Sequence, residues 1–203
     1  MFPTRVILLS TLMLFCGATA FAQRPGPQFW KKLGCEPLEP RTKLEAIEDR
    51  HSTVVVKGFT RITTLEVRGV RIDAVEMREM GNVARAKGIV VVLRDERPPS
   101  ENRNERPNEN RAFIDYEEIG PLLNAIDAVA GVDETATKLA GFEARYRTLG
   151  DLEIGVFRQT TRGTAVVMTT GICDRATQTL SLDDLAKVKA MIQEAKSRLD
   201  DIR

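Results

Sequence analysis

The chain is short of the residues that build metal centres and covalent chemistry. Its 203 residues hold three cysteines, one histidine and one tryptophan, and aromatics make up 5% of the whole. After loss of Cys16 with the leader described below, too few thiols remain for a thiolate-rich zinc site. His51 stands without a specified partner, so a structural or exposed role is simpler than that of a base or ligand. Neither a glycine-rich phosphate loop nor the spacing of a calcium loop occurs. An excess of one charge is missing too, with 30 Lys and Arg against 29 Asp and Glu. That balance argues against a broad nucleic-acid footprint, although a local patch could survive it. The expectation is therefore a protein with no assigned catalytic residue, metal or cofactor.

Long apolar runs are also scarce, and the one that occurs is informative. Residues 6–15 form an apolar stretch interrupted by Ser10 and Thr11, preceded by Arg5 and followed by Ala20-Phe21-Ala22. A basic start, a short apolar middle and small residues before a cleavage point describe a signal peptide over residues 1–22, with a processed chain starting at Gln23. The run is shorter than the roughly 20 residues needed to cross a bilayer, so no stable span is expected after its removal. Bulky Phe15 before Cys16 speaks against lipoprotein processing. Removing Arg5 leaves 29 basic against 29 acidic residues, and removing Cys16 leaves Cys35 and Cys173. In an exported chain these two could form a disulfide, or remain separate buried thiols.

Residues 23–50 read as a proline-bearing arm carrying Phe29 and Trp30, ending in a short helix capped by Thr42 with Glu45 returning the interaction. From His51 the period becomes strand-like: Thr53 to Val56 is β-branched, and Leu65 and Val67, then Val70, Ile72 and Ala74, alternate with charges. Ile89 to Leu93 is apolar on both faces, as a central strand is. Residues 94–111, with three prolines among Arg, Glu and Asn, predict an exposed excursion that solubilises the domain or touches a ligand. Phe142, Ala144 and Tyr146, then Leu152, Ile154 and Val156, then residues 165–168 and 175–180 describe a second meander.

Ile114-Asp115-Tyr116-Glu117-Glu118-Ile119 overlies Leu180-Ser181-Leu182-Asp183-Asp184-Leu185 at a shift of 66 positions. Ile119, Leu122, Ile126 and Val129 then match Leu185, Val188, Ile192 and Ala195, each set on one helical face. Asp115 and Ser181 are the expected caps. Pro121 would lie deep in a helix that starts at Asp115, which leaves a start near Gly120 as the rival. The fold expected is α+β, with two antiparallel ββββα units packed as one pseudo-duplicated domain. The first unit covers residues 51–132, and a linker and second unit cover 133–203. The final helix is expected to pack onto its own sheet.

This order of elements resembles the duplicated ββββα arrangement of the Whirly family, and more distantly a family of transcriptional coactivators built on one such unit. The resemblance implies a sheet face that binds single-stranded nucleic acid. The Lys-Gly-Lys-Ala-Ala-Leu pattern of plant Whirly proteins is absent, with only Lys57-Gly58 and Lys87-Gly88 in its place. Phe113-Ile114-Asp115-Tyr116, Phe142-Glu143-Ala144-Arg145-Tyr146 and the segment from Leu180 to Leu185 also resemble uncharacterised exported bacterial proteins. That resemblance implies a periplasmic or extracellular setting and supplies no catalytic role.

Three functions follow. A sheet-face nucleic-acid site would use Arg145, Tyr146, Arg147 and Arg158, although strand alternation could turn Tyr146 into the core. A carboxylate enzyme would use Glu143, Asp151 and Glu153, provided two of them converge with different proton affinities. By elimination the leading expectation is an exported, non-catalytic interaction or envelope-associated protein that recognises another protein or a small ligand.

Overall fold

The computed structural model describes residues 39–95, 108–133, 135–139, 141–159, 163–172 and 175–202, except the side chains at 158 and 159. The signal segment, Phe29, Trp30, Cys35, Cys173 and the middle of the 94–111 excursion lie outside these residues.

Strand alternation and helical period build the same unit twice. In the first half β1 (Val55–Arg61), β2 (Val70–Glu79), β3 (Arg85–Arg94) and β4 (Glu109–Asp115) form an antiparallel meander in chain order. Helix α2 (Tyr116–Ala130) follows, after the short α1 (Lys43–Glu48) that precedes the sheet. In the second half β5 (Phe142–Arg147), β6 (Leu152–Gln159), β7 (Gly163–Thr170) and β8 (Ala176–Leu180) form another four-stranded meander, followed by α3 (Leu182–Asp200). The fold is α+β with an internal duplication.

The register fixes where the halves differ. Ile114 pairs with Ile89 and Leu180 pairs with Val166. Leu180 follows Ile114 by 66 residues but Val166 follows Ile89 by 77, so the first half carries 11 extra residues between its last two strands. That insertion is the proline-rich excursion, although it is shorter than expected: β4 resumes pairing at Glu109. Leu65 and Val67 are not in a strand. They lie in the β1–β2 connection, where Val67 bridges Val70 and Gly69 takes the left-handed φ of 71°.

One core serves both halves. Ile72, Ala74, Ile89, Val91, Leu93, Ala112 and Ile114 from the first sheet join Leu152, Ile154, Val156, Val166, Met168 and Leu180 from the second. The buried stripes of both helices complete it, with Ile119, Leu122, Ile126 and Val129 on α2 and Leu185, Val188, Ile192 and Ala195 on α3. Contrary to expectation, α3 does not lie chiefly on its own sheet. It packs mainly on β2 and β3 and against α2, touching β7 and β8 less, while α2 is shared between β3–β4 and β5–β6.

The first sheet has a second apolar face, which explains the unbroken run in β3. Leu44 and Ile47 of α1 cover Val75, Met77, Ala86, Val90, Val92 and Phe113 there. Gly88 allows the approach, since a Cβ would collide with the Ile114 carbonyl and crowd Leu44. The predicted capping box is present, with the Thr42 hydroxyl accepting from the Glu45 N–H and Glu45 accepting from the Thr42 N–H.

Candidate functional site

β5 sorts the predicted nucleic-acid residues onto opposite faces. Arg145 and Arg147 are exposed on the outer face of the second sheet, whereas Tyr146 is half-buried and packs against the core. The period of two leaves no other outcome. Burial first, and then the Glu118 carboxylate, raise the Tyr146 pKa. Both arginines face acids: Arg145 lies 3.5 Å from Glu143, and the Arg147 Nε donates to Glu153 at 2.9 Å. The Glu153 hydrogen bond raises the Arg147 pKa further. Arg158 sits opposite Phe142 in the β5–β6 ladder, and its side chain lies outside the described residues.

The proposed carboxylate cluster is dispersed by the same partners. Asp151, at φ 62° in the β5–β6 turn, pairs with Arg41 at 2.9 Å. Glu143 and Glu153 are held by the strand arginines. Asp151 and Glu153 line one small cavity of about 10 Å³ together with Arg147 and Arg175, a space for about one water, and Glu143 is not part of its lining. His51 is exposed in the α1–β1 connection. Among the described residues no group of three His, Cys, Asp or Glu side chains could hold a metal ion, and no helix is long and apolar enough to cross a membrane.

A cleft of about 310 Å³ lies where α1, β3 and the end of α3 meet, lined by Lys43, Arg85, Lys87, Tyr116, Glu117 and Ile202. Its cations are engaged. Lys43 pairs with Glu117 at 2.7 Å, Arg85 with Glu76 at 2.6 Å, and Lys87 donates to the Leu199 carbonyl at 2.8 Å. Lys87 also lies 4.6 Å from the centre of the Tyr116 ring, with Lys196 5.3 Å away on the same ring. The group therefore ties the C-terminal end of α3 to the first sheet, a suitable place for a cation opposite a helix C-terminus.

Several large apolar side chains are exposed among the described residues, and some of them gather around β1. Val54, Val56, Phe59 and Met80 are 66%, 45%, 64% and 56% exposed. Met80, at the end of β2, donates its N–H to the Val54 carbonyl, so it flanks β1, the edge strand that carries Val56 and Phe59 on its two opposite faces. This edge was not singled out from sequence. The signal was there in Val54-Val55-Val56 and Phe59, but alternation predicts buried and exposed faces and does not reveal which strand ends a sheet. No family model, curated protein or solved structure matches the chain.

Proposed function

We propose that the protein is an exported, non-catalytic interaction module that engages a protein partner through the β1 edge of its first sheet. The observation that carries this reading is the exposure of Val54, Val56 and Phe59 on or beside the edge strand β1, with Met80 exposed next to them at the end of β2. An unpaired strand edge with exposed apolar side chains is a template for another strand. The pairing of Glu143, Asp151 and Glu153 with arginines supports the non-catalytic half of the proposal, because each candidate carboxylate is engaged in an ion pair rather than poised as acid or base.

The leader pattern of residues 1–22 supports export, and with export a Cys35–Cys173 disulfide. A Whirly-like mode of nucleic-acid binding draws less support, since Tyr146 and the strand arginines face opposite ways. The test places a photocrosslinking residue at Phe59, and separately at Thr179 on the second sheet, in cells that export the full chain. The expected result is a defined adduct from position 59 alone, on a chain whose N-terminus is Gln23. Equal adducts from both positions, or none from 59, would reject the β1 edge.

A further inference from the structure

We propose that the partner at this edge is a second copy of the chain, joined by antiparallel β1–β1 pairing about a two-fold axis at Gly58. The proposal rests on the interaction reading above and specifies its partner.

The four sheet edges are unequal. Gly150 of the β5–β6 turn presses so closely on β4 that a Cβ would collide with the Phe113 carbonyl, and β4 also contacts β6 and β7. At β8 the Thr177 N–H is donated to Asp95 and the Gln178 amide to the Arg94 carbonyl. β5 carries Glu143, Arg145 and Arg147, the charged pattern that discourages edge pairing. Among the described residues β1 pairs only with β2, and its sequence VVKGFTR holds neither proline nor bulge. Its one lysine is drawn aside: Lys57 reaches Glu48 at 3.4 Å and lies 5.6 Å from the centre of the Phe113 ring.

Backbone alternation then fixes the register. Ile62 donates its N–H to Ile72, and Val54 accepts from Met80, so the even-numbered residues of β1 turn their polar groups toward β2. Val55, Lys57, Phe59 and Arg61 consequently turn theirs outward. A two-fold at Gly58 sets Val55 opposite Arg61 of the second copy and Lys57 opposite Phe59, so all four outward residues meet an outward partner. Centring the axis on Lys57 would oppose two ammonium groups. Centring it on Phe59 would oppose Lys57 to Arg61. The Gly58 register avoids both, and it offers Lys57 the face of an aromatic ring. Gly58 itself falls in a non-hydrogen-bonded pair, where the Cα atoms approach to about 4.5 Å. The nearest atom to a Cβ on Gly58 is the Glu76 carbonyl oxygen at 3.9 Å, so its side of the strand is open. The product is one continuous eight-stranded sheet with isologous symmetry.

Sedimentation equilibrium of the protein purified after expression of the full chain tests the proposal. Twice the monomer mass is expected, with at least a tenfold weaker association for Phe59→Pro, which removes an N–H that β2 does not use. Phe157→Ser, on the outer face of the second sheet, should leave association unchanged. Gly58→Cys gives an independent readout: it should form an intermolecular disulfide mapped to position 58 in both copies, whereas Thr63→Cys, far from the axis, should not self-link. A monomer at every concentration, or a folded Phe59→Pro that stays dimeric, overturns the second-copy assignment. A monomeric parent that still gives a position-59 adduct of another mass in cells leaves the interaction reading standing and removes only this partner.

Discussion

Glu118 answers pH in the opposite sense from most surface acids. One of its oxygens accepts the Leu149 N–H at 2.9 Å, tying α2 to the β5–β6 turn, and the other is buried without a hydrogen-bond partner. Burial raises its pKa above the ordinary glutamate value, Asp115 and Glu45 add to the rise, and the Leu149 N–H opposes it. A folded-state pKa above that of the unfolded chain contributes stability that is fully present below the unfolded value and lost as pH rises through the folded one. Glu118→Gln is therefore expected to melt higher than the parent at about pH 7 and to converge with it near about pH 4, below the ordinary glutamate value. Thermal scans across that range check this, and a variant less stable at neutral pH would show that the ionised carboxylate is net favourable. The role of Glu118 was not legible as such. Sequence placed it in the first turn of a helix, where it suits the helix dipole, but Leu149 lies 31 residues away.

At the scale of elements, the two helix starts match in position and differ in chemistry. Ser181 accepts the Asp184 N–H at 3.0 Å and donates to the Asp184 carboxylate, which is held low by Lys187 first and by Ser181. Asp115 occupies the N-cap position of α2 but makes no side-chain cap there. Its carboxylate instead accepts the N–H groups of Lys43 and Leu44 at 2.8 and 3.1 Å, at the start of α1. The shift of 66 residues thus revealed both helices, their starts and their buried stripes from local pattern alone. It could not reveal that one cap had been diverted to a distant helix. The rival start near Gly120 is not adopted, and α2 carries Pro121 internally. Ser181→Ala should cost about 0.5–2 kcal/mol by chemical denaturation. Asp115→Ala should instead loosen α1, whose six residues are too few to hold a helix without tertiary support. Faster amide exchange at Leu44, with the α2 amides unchanged, is the expected signature; faster exchange confined to α2 would refute the assignment.

For the whole molecule, the sequence showed two units in order but not that α3 packs mainly on the first sheet and α2 on both. Periodicity identifies an apolar face and carries no record of which sheet receives it. The excursion between β3 and β4 was legible because prolines and alternating charges cannot supply a core, while its true end was hidden by the charged start of β4. Six buried residues of α3 line the shared core. At about 1.5–3 kcal/mol for each large side chain, their loss rivals the whole stability of an ordinary domain, about 5–15 kcal/mol. A chain ending at Ser181 should lose cooperative unfolding even in the first sheet, whose sequence it retains in full. Calorimetry would show no sharp transition, and a surviving one would mean that the first sheet stands without α3.

The placement of α3 on β2 and β3 also sets a timetable for synthesis. The first sheet leaves the ribosome well before α3, which together with α2 covers it. Until α3 follows, the inner faces of β2 and β3 lack part of the surface that buries them, and the nascent first half stays loose. Under the export proposed above, the same delay keeps the chain open to a translocon until α3 has followed.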